Sequence, residues 1–294
     1  MSFVEKDTLL VTLPVGIKFI NYDVPENRLI KSQLLDSIYK IGLQIDDKKT
    51  TVCFISKKNT EYQYYEIEEI LEDSEVENIE HLLRLPNIYK FEIYIDKISN
   101  KCNKNKYLDT QYCISIYENS EILRRYNIGY IDYNDLSTYT KYWYIDKDYI
   151  IHTRIIGGVV EEDEEHENIY IDRLYKYIIT DKGHLVPYYN KEQFFNETKT
   201  EKGKVKNHTK SGLWIEKKYN YLVFEETYVE ANYNKGVPIG KWDFYKLELV
   251  YDKEGDINYR ESKKTAKLLI TEIYNSEGEL IEREIYSQQL DILE

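Results

Sequence analysis

Residues 233–245 read YNKGVPIGKWDFY, a pattern of closely spaced glycines followed by alternating aromatic residues. Gly236 and Gly240 supply the positive φ that tight hairpin turns require, and Trp242 begins the run that follows the second turn. A shorter copy, Gly212-Leu213-Trp214, lies 28 residues earlier. Because a single hairpin is only marginally stable, such hairpins must pack on one another. The pattern predicts an antiparallel β meander in this part of the chain.

The spacing Tyr-x-x-Gly-x-x-x-Gly-x-Trp at Tyr233, Gly236, Gly240 and Trp242 resembles MORN-type repeats. The similarity is to the bacterial MORN-variant family that is labelled antitoxin. It extends over residues 175–286 as one full unit and one half unit, with irregular spacing between units. The resemblance implies binding to a partner protein and brings no catalytic residues with it.

Glycine is distributed unevenly along the chain, with three residues before position 151 and nine after it. Turn-like segments with a central glycine separate alternating apolar runs in the second half. These segments are Asp181–His184, Glu201–Lys204, Asp252–Asp256 and Asn275–Glu279. A glycine pair and an acidic run at 161–167 indicate a solvated loop between the halves. We therefore predict an N-terminal domain over residues 1–155 and a C-terminal antiparallel β domain over residues 168–294.

The first half of the chain mixes helical and strand patterns. Apolar residues recur at helical spacing over residues 30–41, with a glycine next. Ser74 and Glu77 match a capping box at the start of a second helix, which Pro86 ends. Alternating runs predict strands at residues 9–13, 51–56, 89–95 and 112–117. The predicted fold class is therefore α+β, a small α+β domain followed by the meander of repeat-like hairpins.

The charge of the chain restricts its partners. Asp and Glu number 53 against 40 Lys and Arg, so the formal net charge is −13. A negative field favours basic partners and repels nucleic acid, which is bound through clustered Lys and Arg. Tyrosine fills 31 positions, and its ring packs on a sheet while its hydroxyl meets water or a partner. We expect a basic protein partner and no direct nucleic-acid binding, although acidity is also ordinary in bacterial-type proteins.

Residues 61–80 hold nine carboxylates and no Lys or Arg, with interleaved tyrosines. Such a segment can mimic a nucleic-acid backbone in a basic groove, while its rings stack on arginine. A solvent-facing helix with acids in its first turn would have the same composition. The predicted partner-binding residues are Glu61, Tyr62, Tyr64, Glu66, Glu68, Glu69, Glu72, Asp73, Trp214, Tyr233 and Trp242.

Motifs for catalysis, cofactors and metals are missing from the sequence. The five histidines lie outside Gly-x-Ser-x-Gly and His-Glu-x-x-His motifs, and no phosphate-binding loop occurs. The acidic run at 161–167 lacks EF-hand spacing. With 53 acids, paired carboxylates suited to glycoside hydrolysis carry no information. We therefore expect no enzyme activity, no cofactor and no metal.

Cysteine content and the N-terminus indicate location. Cys53, Cys102 and Cys113 are too few for a disulfide framework, residues 1–7 lack signal-peptide features, and no run reaches the roughly 20 apolar residues of a membrane span. The sequence thus predicts a cytoplasmic, non-enzymatic protein that inhibits a basic toxin or nuclease. The expected classes are an antitoxin, an immunity protein or a phage-type anti-defence (anti-CRISPR) inhibitor. A carbohydrate-active enzyme of an unfamiliar family and a structural scaffold protein remain open.

Overall fold

The computed structural model describes most of the chain from residue 78 onward and three short N-terminal segments. The described residues are 9–19, 29–31, 68–69, 78–101, 108–133, 137–159, 171–190, 194–195 and 200–286. Every regular element among them is a β-strand, and they contain no helix. The chain divides into two compact units, unit 1 at residues 1–185 and unit 2 at residues 186–294. The domain limits that the sequence indicated, 1–155 and 168–294, stay a prediction.

Unit 1 contains a sheet to which the described residues contribute 12 strands. They are β1 (Leu9–Leu10), β2 (Val15–Phe19), β3 (Leu29–Lys31), β4 (Glu68–Glu69), β5 (Asn78–Ile88), β6 (Phe91–Lys101), β7 (Leu108–Glu118), β8 (Glu121–Tyr133), β9 (Ser137–Ile145), β10 (Ile151–Val159), β11 (Ile171–Ile179) and β12 (Leu185–Pro187). From β5 onward, neighbours in the sheet are neighbours in sequence. This order is typical of antiparallel strands joined by short turns.

The N-terminal segment draws two distant strands of this sheet together. Strand β1 pairs in parallel with β5, whereas β2 pairs with β9, four positions further along the sheet. One short segment therefore joins two strands that lie far apart in the order of the sheet. The residues buried on the apolar face of the sheet include Val11 and Val15 of the segment itself, together with Ile93, Ile114 and Trp143 of the sheet. Alternation along each strand places these side chains on one side.

The helix predicted to begin near Ser74 is wrong, and with it the α+β fold class, because the described part of the chain is all-β. Residues 78–88 form β5, in which Leu83 and Leu85 are buried opposite strand β6. A short apolar run fits the period of a helix and that of a strand almost equally well. Pairing with β6 decides between them. Pro86 lies in an irregularity of the β5–β6 register, a place where a strand tolerates proline.

The other local predictions for the first half have mixed outcomes. The strand predicted at residues 112–117 is confirmed within β7. The strand predicted at 89–95 begins late, because residues 89 and 90 form a turn before β6. Of the strand predicted at 9–13, only Leu9–Leu10 form a strand, β1. The helix predicted at 30–41 is contradicted where it overlaps β3, and the rest of it lies outside the described residues, as does the strand at 51–56.

Unit 2 contains an antiparallel sheet to which the described residues contribute eight strands. They are β13 (Phe194–Phe195), β14 (Glu201–Lys206), β15 (Thr209–Asn220), β16 (Glu225–Asn234), β17 (Val237–Pro238), β18 (Gly240–Glu248), β19 (Lys263–Tyr274) and β20 (Leu280–Ile285). Apart from the short β17, the strands follow one another across the sheet in chain order. This is the meander that the glycine turns indicate. The turn predicted at 201–204 is wrong, because these residues belong to β14.

The two Gly-x-Trp units adopt matching geometry. Gly212 and Gly240 both have positive φ, at 72° and 62°. Trp214 and Trp242, two positions later, are both buried. Each indole N–H donates to a backbone carbonyl ten residues upstream, on the neighbouring strand, at 3.1 Å in both cases. The short sequence repeat is therefore also a structural repeat.

We predict that Gly203→Ala destabilises the protein through Trp214. A Cβ at Gly203 would lie 2.2 Å from the indole ring, so the substitution should lower the free energy of unfolding by about 1–3 kcal/mol. Most of that loss should vanish in a Trp214→Leu background, because the clash is then gone. Urea unfolding of the two single variants and the double variant measures this coupling.

The matched control is Gly240→Ala, whose Cβ would meet no atom within 4 Å. Its cost comes from the left-handed backbone alone and should add to that of Trp214→Leu within about 0.5 kcal/mol. If the losses in free energy of unfolding for Gly203→Ala and Trp214→Leu add up in the double variant, the predicted clash between residue 203 and the indole ring is wrong.

Candidate functional site

Three of the predicted partner-binding aromatics, Trp214, Tyr233 and Trp242, lie in the core of unit 2. Trp214, Tyr233 and Trp242 are all buried, because alternation on β15, β16 and β18 turns them to the same covered face. Their rings form a row, with centroids 6.3 Å apart for Trp214 and Tyr233 and 5.0 Å apart for Tyr233 and Trp242. Tyr274 extends the row by a further 5.0 Å contact. In this fold these rings stabilise the sheet and are not open to a partner.

The predicted acidic residues belong to the other unit. Glu68 and Glu69 form β4, which pairs with Asn127 and Tyr126 of β8. The structure therefore assigns the segment at 61–80 and the aromatics Trp214, Tyr233 and Trp242 to different units. The remaining members, Glu61, Tyr62, Tyr64, Glu66, Glu72 and Asp73, lie outside the described residues.

Beside the aromatic row lies a cluster of charged side chains, here called the ion cluster: Glu201, Lys210, Glu216 and Lys218. The Lys210 ammonium donates to Glu216 at 2.6 Å and to Glu201 at 2.9 Å. Lys218 donates to the second oxygen of Glu216 at 2.8 Å, and the Tyr233 hydroxyl donates to the first at 2.6 Å. The Lys210 and Glu216 side chains are only 2% and 3% exposed. Glu216 thus accepts three hydrogen bonds in a nearly dry environment.

This environment displaces the pKa values of the two carboxyl groups in opposite directions. Burial alone would raise the pKa of Glu216, but the ammonium groups of Lys210 and Lys218 outweigh it and hold that pKa well below its usual range. Burial, followed by the negative charge of Glu216, raises the pKa of Glu201 to about 8. Burial likewise lowers the pKa of Lys210 to about 8.

Two nearby carboxyl groups with opposed pKa shifts are the arrangement that glycoside hydrolysis uses. Here the Lys210 ammonium bonds to both carboxyl groups and so takes the place that a glycosidic oxygen would need. The rings of Trp214 and Tyr233 cover the ammonium, with centroids at 4.6 and 5.0 Å. The geometry therefore favours a structural ion network over a reaction centre. The sequence signal for this network is the run of Trp214, Glu216 and Lys218 at alternate positions, which places them on one face of a strand.

Unit 1 contains a second buried polar network, centred on Asp96. Its carboxylate accepts a hydrogen bond from the Ser115 hydroxyl at 2.5 Å and lies 2.6 Å from His81 Nδ1. Arg125 Nε donates to the Ser115 oxygen at 2.9 Å. A serine nucleophile needs histidine as its proton acceptor, but here the aspartate separates Ser115 from His81. The network joins strands β5 to β8 and does not form a nucleophilic triad.

The turn between β15 and β16 carries exposed apolar side chains, and we call residues 219–224 the aromatic tip. The exposed fractions are 38% for Tyr219, 67% for Tyr221, 45% for Leu222 and 69% for Phe224. The alternating sequence of this segment is typical of a continuing strand, so the sequence pattern does not predict the turn. Exposed apolar side chains grouped in one turn make this segment a candidate interaction site.

Comparisons with family models, curated proteins and solved structures found no match to this chain. Among the described residues, no group of three or more His, Cys, Asp or Glu side chains is placed to hold a metal ion. The same residues include no helix with the length and apolar character needed to cross a membrane.

We predict that Glu216→Gln strongly destabilises unit 2. The substitution leaves two buried ammonium groups facing a neutral amide, and breaking a buried ion pair costs about 3–5 kcal/mol. Glu230→Gln is the matched control, because Glu230 also pairs with a lysine on this sheet, Lys264, at 2.6 Å. That pair is about one-third exposed on both sides, so its loss should cost less than about 1 kcal/mol. Similar losses in urea unfolding would contradict the role of the ion cluster.

Glu216 should also determine part of the acid sensitivity of the protein. Its pKa in the folded state is below the ordinary 4.5, so its contribution to stability is complete above that value. The contribution is lost as the pH falls below 4.5, because the unfolded chain then takes up the proton first. Between about pH 5 and pH 3, the free energy of unfolding should fall more steeply for the wild type than for Glu216→Gln. The free energy of unfolding is measured by urea unfolding at each pH. If it falls equally steeply for the wild type and for Glu216→Gln, the prediction is wrong.

Proposed function

We propose that this protein binds and inhibits a basic partner protein and catalyses no reaction itself. The observation that carries the proposal is the location of the excess negative charge. The ion cluster holds two acids and two lysines, and the Asp96 network holds one acid and one arginine, so on formal charges, with histidine neutral, neither contributes to the acid excess. The raised pKa of Glu201 makes the ion cluster less negative still at neutral pH. The net −13 of the chain therefore resides on other residues, where it is available to attract a basic surface.

The chemistry of the buried groups supports binding over catalysis. In both networks the titratable groups bond to one another: Lys210 bonds to two carboxylates, and the Ser115 hydroxyl donates to Asp96. A general base or nucleophile needs a free face toward a substrate. These contacts are typical of groups that hold strands together.

Inhibition would act by occlusion of a basic surface. A nuclease, or a toxin that acts on nucleic acid, attracts phosphate through clustered Lys and Arg, and an acidic protein can cover the same surface. The acidic segment at 61–80, of which Glu68 and Glu69 pair with the sheet of unit 1, adds nine carboxylates. An antitoxin, an immunity protein and a phage-type inhibitor of a cytoplasmic nuclease all fit this mechanism.

We predict that the full-length protein captures a basic protein from a lysate of the organism that carries the sequence. The captured protein is identified by mass spectrometry, purified and returned to the immobilised chain for kinetic measurement. Its association rate should fall at least about tenfold between low salt and physiological salt, because screening weakens long-range attraction. Its own activity should be inhibited in the complex.

The dissociation rate serves as the internal control, since salt acts mainly on the encounter of two charged proteins. An association rate that is insensitive to salt would count against the proposal. Capture of acidic proteins alone would do so too.

A further inference from the structure

We infer that the aromatic tip, residues 219–224, is the element that inserts into an apolar pocket on the basic partner. This inference rests on the proposed function and names the part of the chain that makes the central contact. Tyr221 and Phe224 each expose about two-thirds of their surface, at 67% and 69%. Aromatic side chains that fill a pocket supply most of the energy of many protein interfaces, whereas rim charges mainly affect encounter.

The tip is held in place by its own polar and apolar contacts. Asn220 is buried, and its side-chain oxygen accepts a hydrogen bond from the Leu222 N–H at 2.9 Å. Val223 is buried beneath the turn and anchors it. The rings of Tyr219 and Tyr221 meet edge to face, with centroids 4.9 Å apart. An element that is already ordered loses little conformational entropy when it binds.

Phe224 adopts a conformation that a large side chain rarely takes. Its φ is 51°, in the left-handed region, where residues other than glycine are strained by roughly 1–2 kcal/mol. The Phe224 ring stays exposed, so burial of the ring does not offset the cost of the strained backbone. Other turns among the described residues place non-glycine residues at similar φ, such as Tyr89 at 53° and Lys235 at 51°. The turn therefore accounts for the backbone conformation, and the exposure of the Phe224 ring is the observation that supports the inference.

The charges beside the tip identify the kind of partner. The connection of residues 249–262 is fixed near the tip, because Lys217 of β15 donates to the Ser262 carbonyl at 2.7 Å and Tyr259 donates to Glu226 of β16 at 2.9 Å. Its exposed charges comprise four acids against two bases. The strands at the base of the tip add Lys217, Lys218 and Lys246 against Glu225 and Glu226, which gives a local net charge of −1. A basic rim around an apolar pocket complements this arrangement. An anionic lipid surface would be repelled by it.

The test uses the full chain with Tyr221→Ser and Phe224→Asn combined, called the tip variant. Asparagine tolerates the left-handed backbone, so the turn should be retained. Leu213→Ser is the matched control, because Leu213 is a 58% exposed apolar residue at the other end of β15. Circular dichroism and urea unfolding establish that both variants are folded. The probe is the basic protein captured by the wild type and then purified.

We expect the tip variant to bind this probe at least about tenfold more weakly, through faster dissociation, while Leu213→Ser binds like the wild type. If the tip variant binds a basic partner as tightly as the wild type does, the inference is wrong and the proposed function stands. If the wild type captures no basic protein, both fail.

Two further measurements address other occupants of the tip. Co-sedimentation with vesicles of phosphatidylcholine and phosphatidylserine tests a lipid surface, and sedimentation velocity tests a second copy of the chain. Binding to vesicles, or self-association, that the tip variant abolishes would overturn the inference. Neither is expected, given the acids beside the tip.

Discussion

A buried carboxylate that accepts several hydrogen bonds holds each unit of this protein in register. In unit 2, Glu216 accepts from Lys210 and Lys218 of its own strand and from Tyr233 of the next strand, while Lys210 also reaches Glu201 of the preceding strand. An ionised carboxylate in a dry environment is costly unless such donors surround it. A shift of either neighbouring strand by one residue would turn its hydrogen-bonding side chain, Glu201 or Tyr233, to the opposite face. The aromatic row can pack only when this register is kept.

In unit 1 the buried carboxylate is that of Asp96, and different residues surround it. Its contacts with His81, Ser115 and Arg125 join four neighbouring strands, and all these groups except His81 are fully or nearly fully buried. In both units a polar network specifies the strand alignment, while alternating Ile, Leu, Val and aromatic side chains supply the apolar burial. The two networks contain equal numbers of acids and of Lys and Arg side chains. The acid excess of the chain is therefore left to other residues, which supports the proposed attraction of a basic protein.

The abundance of tyrosine also has a structural explanation. The hydroxyls of Tyr233, Tyr259 and Tyr274 donate to nearby glutamates at 2.6–2.9 Å, while their rings pack within unit 2. A phenylalanine would leave these carboxylates without one of their donors, and an aliphatic residue would also lose the ring contacts. Tyrosine and glutamate are thus used together inside the sheet, whereas the aromatic tip leaves the rings of Tyr221 and Phe224 largely exposed.

Much of unit 2 can be predicted from the sequence alone, because strand periodicity and turn chemistry are local properties. Its meander, the turns at 252–256 and 275–279 and the Gly-x-Trp repeat all follow from glycine and alternation within a few residues. The same reasoning failed at β5, where a short apolar run suits a helix or a strand until a partner strand is present. It also assigned Trp214, Tyr233 and Trp242 to the surface, because a sequence does not reveal which face of a sheet is covered. Only the tertiary structure decided three features: the burial of the aromatic row, the contacts of Lys210 with two carboxyl groups and the exposure of Phe224. Each depends on residues that come together only after the strands have aligned.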